Sequence, residues 1–165
     1  MKIRKAESKD IKEMDRIWLQ SEKEHQEYDQ EKGFVSPEVI EDHLKSLSRD
    51  PLSLNLVALE KNEVIGLCSV KANTTETIFD NPIEWHLDGL LIHSKHRNKG
   101  IGKKLHEKTL QELKKFPEKM TRDAHITLTV HPKNKKAIEF HKKNGYEILY
   151  PKNPRESIMH RKIFK

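Results

Sequence analysis

The sequence predicts one α/β domain with a mixed, mostly antiparallel β-sheet of about six or seven strands and helices on both faces. The chain has 165 residues, the length of a single domain. Short segments with alternating apolar residues are separated by longer segments with helical periodicity. The segments follow the order β-α-α-β-β-β-α-β-α-β-β, with no repeat, linker or low-complexity stretch between them. We therefore expect residues 1–165 to form one domain.

The N-terminal part predicts one strand, at residues 3–6, and two amphipathic helices. Ser8 precedes the first helical pattern, and a polar stretch that ends at Gly33 follows it. Ser36 and Pro37 suit the N-cap and the first position of the second helix, which stops before Pro51. The apolar residues expected to face inward are Ile11, Met14, Ile17 and Trp18 in the first helix, and Val39, Ile40, Leu44 and Leu47 in the second.

The rest of the chain predicts strands that alternate with two helices. Lys61 and Asn62 join two strands as a tight hairpin. Asn144 and Gly145 suit a left-handed cap at the end of the last helix. The predicted bounds are 52–60 and 63–72 for the hairpin, 83–93 for a long strand, 100–116 for a helix, 124–131 for a strand, 132–144 for a helix, and two closing strands.

Composition restricts the classes of partner. The net charge is +6 and the pI is about 9.3, which favours an anionic partner such as a phosphorylated cofactor. A basic nucleic-acid-binding module is an alternative, but aromatic residues make up only 6% and no RNP-type or helix-turn-helix pattern occurs. No apolar run reaches the ~18 residues of a membrane helix, and no signal peptide is evident. We expect a cytoplasmic protein without a nucleic-acid or membrane partner.

The sequence offers no metal-binding pattern. Cys68 is the single cysteine, so neither an internal disulfide nor a zinc site of paired thiolates can form. The ten histidines are scattered and lack suitably spaced ligand partners. We therefore expect no metal.

A turn rich in glycine and basic residues joins the long strand to the following helix. In RNKGIGKKL, two glycines bracket one isoleucine, and no acidic residue occurs from Lys95 to Lys104. Free N–H groups at a helix N-terminus bind anions, and glycine allows close approach. The turn is not a P-loop, because the pattern GxxxxGK[ST] is absent. It is not the GxGxxG fingerprint, because Leu105 occupies the third glycine position. The pattern indicates a phosphate-binding turn, with an ordinary strand-to-helix turn as the alternative.

Two segments resemble motifs of the GNAT superfamily of acyl-CoA-dependent N-acetyltransferases. Arg-x-x-Gly-x-Gly, between a strand and a helix, resembles motif A. NKKAIEFHKKNGYEI, residues 134–148, resembles motif B, commonly written N-x-x-A-x-x-[FL]-Y-x-x-x-G-F. The order of the predicted elements is also that of the family. The motif B positions in register are Asn134, Ala137, Phe140, Gly145 and Tyr146.

The resemblance implies that the chain binds acetyl-CoA. In the family, the pyrophosphate sits on the backbone amides of the glycine turn. The pantetheine arm pairs like an added strand with the end of the preceding strand, which splays from its neighbour; Gly89 suits the bulge that this needs. The implied cofactor-binding residues are Leu90, Leu91 and Ile92 on the strand, Arg97, Asn98, Lys99, Gly100, Ile101, Gly102 and Lys103 in the turn, and Asn134 in motif B.

The resemblance also implies direct acetyl transfer to a primary amine. The family's usual proton donor is the motif B tyrosine, and His141 occupies that position here. Either His141 replaces the tyrosine as donor to the leaving thiolate, or it is a surface histidine on a lysine-rich helix. Tyr146 and Tyr150 are weaker substitutes. Because of this departure, an inactive or regulatory CoA-binding relative is an alternative.

A polar row on the long strand suggests where the general base lies. Glu84, His86 and Asp88 alternate and share one face, while Trp85 and Leu87 take the other. A central strand covered by helices should be apolar on both faces, so the polar row predicts a cavity. A frayed strand start that faces solvent is the alternative. Glu84 is the first candidate for the base and His86 the second, either directly or through water.

The acceptor amine is expected over the first two helices and their loop. The candidate lining residues are Trp18, Glu22, Glu24, Tyr28 and Phe34, together with His86 from the strand. The glutamates suit a cationic substrate, although a solvated helix face would explain each of them singly. Polyamines, aminoglycosides, amino acids and protein N-termini all remain open. The final strand could pair or exchange between two subunits to form a homodimer.

Overall fold

The computed structural model describes residues 1–27, 29, 33, 35–73, 84–117, 120 and 124–163. Short 3₁₀ turns occur at Ser8–Asp10 and Ser94–His96. The helices are α1 (Ile11–Gln26), α2 (Pro37–Arg49), α3 (Ile101–Leu113) and α4 (Lys135–Lys143). The strands are β1 (Lys2–Lys5), β2 (Ser53–Glu60), β3 (Glu63–Asn73), β4 (Glu84–Ile92), β5 (His125–Val130), β6 (Glu147–Asn153) and β7 (Glu156–Lys162).

The seven described strands form one sheet in the order β1-β2-β3-β4-β5-β7-β6. All neighbouring pairs are antiparallel except β4 and β5, which run parallel. The predicted α/β class, with its mixed and mostly antiparallel sheet, is therefore confirmed. The β4–β5 register contains only Trp85 with Ile126 and His86 with Thr127. Beyond these positions the two strands diverge, and a gap opens in the middle of the sheet.

Helices cover both faces of the sheet, as the sequence predicts. On one face, α3 buries Leu105 and Leu113 in a cluster with Trp85, whose indole N–H donates to the Met120 carbonyl at 3.1 Å. On the other face, α1 and α2 pack against β2 and β3, and Leu44 lies at the centre of that second cluster. The sheet therefore separates two apolar layers, and polar side chains that enter either layer need hydrogen-bonding partners.

A bulge in β4 changes which side chains face α3. Two steps along β4, from Leu87 to Gly89, correspond to one step along β3, so Asp88 is the extra residue. Leu87 packs into the cluster on the α3 side, and Leu90 and Ile92 also pack against that cluster. In a regular strand, Leu90 and Ile92 would point to the opposite face from Leu87. The bulge thus keeps the apolar side chains of β4 on one face through both halves of the strand.

Two expectations about individual elements are wrong. Val39 is 59% exposed, whereas Ile40, Leu44 and Leu47 are buried. The inward stripe of α2 starts at Ile40 and continues at i+4 and i+7, which places Val39 about one residue, or roughly 100°, to the side. The final strand, β7, is also not available to pair with a second subunit, because β5 and β6 occupy both of its edges. The strand at that edge of the sheet is β6.

The corrected face of α2 can be tested by stability. Leu44→Ala removes a side chain that is 2% exposed and should lower the free energy of unfolding by about 2–5 kcal/mol. Val39→Ala should change it by less than about 0.5 kcal/mol, because the valine lies mostly in solvent. Urea unfolding of the two variants beside the parent protein measures both values. Equal losses would contradict the assignment of the buried face.

Candidate functional site

The gap between β4 and β5 exposes backbone groups of β4. The His93 N–H bonds to the Ile65 carbonyl at 3.0 Å, so the backbone of His93 faces β3. Because backbone groups alternate sides along a strand, Leu91 also faces β3, whereas Leu90 and Ile92 face β5. The β4–β5 register reaches neither Leu90 nor Ile92. The end of β4 therefore offers hydrogen-bonding groups to an extended chain lying in the gap.

The turn before α3 has the backbone of an anion cradle. Asn98 (φ 61°) and Gly100 (φ 73°) both adopt the left-handed conformation, and Gly100 is the N-cap of α3. The Lys104 N–H donates to the Gly100 carbonyl at 3.2 Å, which is the first bond of the helix. The N–H groups of residues 101–103 consequently have no acceptor within the helix. The first turn contains no acidic residue. These groups fit a pyrophosphate.

Two residues assigned to the cofactor have structural bonds that the sequence did not reveal. The Arg97 guanidinium donates from Nε to the Ile92 carbonyl at 2.9 Å and from Nη1 to Glu24 Oε2 at 2.8 Å. The Arg97 side chain therefore ties the end of β4 to α1. Only the backbone of Arg97 remains available at the turn. Asn134 is the N-cap of α4, and its Oδ1 accepts from the Ala137 N–H at 3.1 Å.

His141, at the family's tyrosine position, lies in a buried cluster. Its side chain is 8% exposed, and its ring centre is 5.2 Å from that of Tyr146. The Tyr146 hydroxyl lies 3.0 Å from Nε2 of His106 on α3. Burial, assisted by the neighbouring His106, lowers the pKa of His141 to about 4, and burial likewise lowers the pKa of His106 to about 4. The alternative of a surface histidine is therefore wrong, and both imidazoles are neutral at pH 7.

The polar row of β4 forms a connected network on the face covered by α1 and α2. Glu84 is 4% exposed, and the hydroxyl of Thr127 on β5 donates to its Oε1 at 2.9 Å. The same hydroxyl lies 3.2 Å from Nδ1 of His86. Asp88 Oδ2 is 3.2 Å from Nε2 of His43 on α2. Because Glu84 is buried, the alternative of a frayed strand start in solvent is wrong.

Burial and the charged groups around this network have opposing effects on the pKa values of His86 and Asp88. Burial lowers the pKa of His86, the carboxylates of Asp88 and Glu84 oppose that shift, and Lys71 adds to it. Burial by itself would raise the pKa of Asp88, but its contact with His43 and the nearby Lys71 hold that pKa below its usual range. At neutral pH the row therefore presents a neutral imidazole beside an ionised carboxylate.

The family of the chain follows from its sequence, which matches the acetyltransferase (GNAT) family over residues 11–146. The chain belongs to the GNAT family. Membership confirms the predicted family and the acyltransferase class, and acetyl-CoA, the acyl donor of the family, as the cofactor. No protein with a curated description matches the chain significantly in sequence.

Solved structures share the GNAT fold over nearly the whole chain. PaiA N-acetyltransferase from Thermoplasma acidophilum, in complex with coenzyme A, is 21% identical with a TM-score of 0.72, and the match covers 98% of both chains. Aminoglycoside 6'-acetyltransferase type Ii is 18% identical with a TM-score of 0.67, covering 100% of this chain and 99% of that one. Ribosomal-protein-alanine N-acetyltransferase from Brucella melitensis is 20% identical with a TM-score of 0.70, covering 98% and 99%.

On the face covered by α1 and α2, Trp18 lies directly over the bulge. A methyl group at Gly89 would come within 3.1 Å of the Trp18 ring, which also meets His43 edge-on with ring centres 5.6 Å apart. Glu22 is 8% exposed, so it does not belong to the solvated face expected for it. Glu24 accepts a hydrogen bond from Arg97, and His86 lies in the polar row, whereas Tyr28 and Phe34 lie outside the described residues.

Asp29, between α1 and α2, contacts the β6–β7 hairpin. Its Oδ1 lies 2.9 Å from Nη2 of Arg155 in the hairpin, and its Oδ2 lies 4.0 Å from Nε2 of His131, just after β5. Asp29 is therefore close to the end of β5.

Among the described helices, none combines the length and the hydrophobicity of a membrane-spanning segment. Within the same part of the chain, no three histidine, cysteine, aspartate or glutamate side chains are grouped as a metal site would require.

The buried histidines predict how stability depends on pH. His106 and His141 have a pKa near 6.5 in the unfolded chain and about 4 in the fold. Between these values the unfolded chain binds more protons, so stability should fall as the pH drops from 6.5 towards 4. Each pKa unit is worth about 1.4 kcal/mol, so the loss should be on the order of 2–3 kcal/mol for each histidine.

His106→Gln provides the matched variant for that measurement. Glutamine keeps a hydrogen-bonding group for the Tyr146 hydroxyl at 3.0 Å but does not titrate. Urea unfolding at a series of pH values between 7 and 4.5 should therefore show a clearly shallower decline for the variant. A decline as steep as that of the parent would mean that His106 takes up a proton normally in the fold.

Proposed function

We propose that residues 1–165 form a single-domain N-acetyltransferase that moves the acetyl group of acetyl-CoA directly to a primary amine of a small molecule or peptide. The observation that carries this proposal is the arrangement of β4. Its end has backbone groups that do not pair with β5 and leads into the anion cradle, while its start carries a polar network with an ionisable imidazole, His86. A cofactor site and a proton-accepting site thus meet on one strand.

The cofactor residues of the proposal are those at the gap and the turn. The backbones of Leu90 and Ile92 would hold the pantetheine arm, and the N–H groups of residues 101–103 would hold the pyrophosphate. The backbone of Leu91, which the sequence also assigned to the cofactor, pairs with β3 instead. Asn98 and Gly100 shape the turn through their left-handed backbones. The exposed lysines nearby, Lys99, Lys103 and Lys104, add long-range attraction. When bound, acetyl-CoA supplies an acetyl group that is activated as a thioester.

One proton transfer and one hydrogen bond are assigned to side chains. An ammonium must lose a proton before it can act as a nucleophile, and the network of Glu84 and His86 would accept that proton. A neutral imidazole does not give up its last N–H proton to a thiolate, so His141 would stabilise the leaving sulfur by a hydrogen bond, and the sulfur would take its proton from the nitrogen of the attacking amine. Within the described residues, His141 Nδ1 has no hydrogen-bond partner. No hydrogen bond there fixes the ring proton on Nδ1.

The acceptor is proposed to be cationic. Glu84 and Asp88 place two carboxylates on the acceptor side of β4, and Trp18 adds an aromatic surface beside them. The similarity to an aminoglycoside acetyltransferase and a ribosomal-protein-alanine acetyltransferase fits small amines and peptide N-termini alike. Cytoplasmic location without nucleic-acid or membrane partners is part of the proposal. A homodimer would use the β6 edge, where Ile148 and Tyr150 are exposed, or the opposite edge at β1.

A CoA-binding regulator without catalytic activity is the second candidate, and the observation that favours it is His141 in place of the family's tyrosine. The two candidates differ in one measurement. A panel of polyamines, aminoglycosides and short peptides, assayed by release of free thiol from acetyl-CoA, should reveal turnover with at least one amine. Cofactor binding without any turnover across the panel would favour the regulator.

The cradle predicts stabilisation by acetyl-CoA. At ~100 times the dissociation constant, a ligand of the native state adds about 2.7 kcal/mol, which raises Tm by roughly 5–10 °C for a domain of this size. ADP should give a smaller shift, and a short RNA none. An RNA shift that exceeds the acetyl-CoA shift would favour the nucleic-acid alternative.

A charge reversal tests where the cofactor binds. Lys103→Glu places a carboxylate beside the free N–H groups of α3, where it should weaken acetyl-CoA binding about tenfold at low salt. Its effect on the stability of the free protein should be small, because the favourable negative charge at the helix N-terminus offsets the loss of the 3.8 Å contact with Glu107. Lys108→Glu, on the same helix beyond its first turn, is the control and should retain binding. Equal affinities for the two variants would move the pyrophosphate away from this turn.

The proposed donor can be tested separately from binding. His141→Phe keeps an aromatic ring against Tyr146 but removes the N–H. Loss of the hydrogen bond to the leaving sulfur should lower kcat by about 100-fold or more, while the dissociation constant for acetyl-CoA stays within a few-fold of the parent value. Steady-state kinetics and isothermal titration supply the two numbers. Unchanged turnover would rule out His141 as the donor.

A further inference from the structure

We propose that Nε2 of His86 is the atom that takes the proton from the acceptor ammonium, and that Thr127 positions it by linking Nδ1 of the same ring to Glu84. This inference rests on the proposed amine acetylation and specifies its base. It reverses the order that the sequence favours, because Glu84 becomes a positioning residue and His86 the proton acceptor.

The direction of the hydrogen bonds fixes the tautomer of His86. Thr127 Oγ1 lies 2.9 Å from Glu84 Oε1 and 3.2 Å from His86 Nδ1. A carboxylate only accepts hydrogen bonds, so the single hydroxyl proton of Thr127 points to Glu84. The Trp85 carbonyl, at 3.5 Å, is a longer and weaker alternative for that proton. The hydroxyl must then accept from Nδ1, which places the ring proton on Nδ1 and leaves a lone pair on Nε2.

Burial separates the roles of the two candidates for the base. Glu84 is 4% exposed and Thr127 is 1% exposed, so the carboxylate does not reach a substrate directly. His86 is only partly buried on the same face. In the part of the chain that the structure describes, its hydrogen bond involves Nδ1 and none involves Nε2. His86 is therefore the member of the network that can meet the amine.

The charged groups around His86 are suited to a ring that is neutral before the reaction and cationic after it. They are Glu84 and Asp88 on β4, Lys71 on β3, Lys152 on β6, and His43 on α2, which acts through Asp88. Burial and the two lysines lower the pKa of His86, which keeps the ring neutral and ready to accept a proton. Once it has accepted one, the two carboxylates stabilise the imidazolium.

The proposed step involves one proton and no redox change. One N–H bond of the ammonium breaks, and its proton forms a new N–H bond at Nε2. Nδ1 keeps its own proton and its bond to Thr127, and the charge passes from the substrate to the imidazolium. After transfer of the acetyl group, the imidazolium returns its extra proton to water. Glu84 takes no part in the proton transfer and acts through the Thr127 hydroxyl.

A pair of substitutions at one position tests the role of Thr127. Thr127→Val keeps the size and branching of the side chain but removes the hydroxyl, and Thr127→Ser keeps the hydroxyl. The valine variant should lower kcat/KM for the amine by about 10–100-fold, with acetyl-CoA affinity unchanged. Its acidic limb of kcat/KM should move to lower pH, because the imidazolium loses its link to Glu84. The serine variant should restore both the rate and the position of that limb.

A spectroscopic measurement reads the tautomer without turnover. Long-range ¹H–¹⁵N correlation spectra of the parent protein at neutral pH should show His86 protonated at Nδ1, and Thr127→Val should shift the ring towards the Nε2–H form. An Nε2–H tautomer in the parent protein would overturn the inference even if the variant failed to fold.

The outcomes also separate this inference from the proposed function. If the parent is active and Thr127→Val, while folded and binding acetyl-CoA, keeps the parent pH profile, the role of Thr127 is overturned and acetylation stands. If the parent acetylates no amine, the proposed function and the assigned base fall together. A displaced acidic limb that serine restores, together with the Nδ1–H tautomer, supports both.

Discussion

The short parallel pairing of β4 and β5 is the constraint on which the rest of the site depends. The two strands share only two paired positions, and Thr127 belongs to the last of them. At that point the Thr127 hydroxyl bridges Glu84 and His86, so side chains join the strands where the backbone ladder ends. Immediately beyond, Asp88 forms the bulge and the backbone of Leu90 turns to the gap. The polar network therefore stands at the closed end of the opening that the cofactor would fill.

The fold class could be predicted because its signals are local. Caps, hairpin residues and periodicity each act within a few residues, and Gly100 and Asn62 have the left-handed backbones that such turns need. The order of strands in the sheet is not local. The chain does not show that β7 inserts between β5 and β6, because a closing hairpin can add either of its strands first. The exposure of Val39 was also not predicted. An apolar residue next to the apolar stripe of a helix cannot be distinguished by sequence from a residue within that stripe.

In the candidate site, too, the parts formed by neighbouring residues could be predicted, and the parts formed by distant residues could not. The anion cradle is formed by consecutive residues, 97–103. It could be predicted from their glycines, their positive charge and the change from strand to helix. The hydrogen-bond network of Glu84, Thr127 and His86 could not be predicted from the sequence. Thr127 and His86 are 41 residues apart, and threonine is an ordinary strand residue. Alternation placed the polar row of β4 on one face, but only the pairing with β5 shows that Glu84 is anchored rather than exposed. The burial of His141 likewise depends on His106, which comes from a different helix.

The replacement of tyrosine by histidine is easier to understand once the states of both imidazoles are considered. Acetyl transfer to an ammonium at neutral pH requires one group with a free lone pair to take a proton, and another with an N–H to hydrogen-bond the leaving sulfur. A neutral imidazole has both, and its surroundings decide which one faces the reaction. At His86 the link through Thr127 would expose the lone pair. At His141 burial removes the charge but leaves an N–H, so this position would stabilise the leaving sulfur by a hydrogen bond. A tyrosine can give up its hydroxyl proton, whereas a neutral imidazole keeps its N–H, so the sulfur would take its proton from the amine.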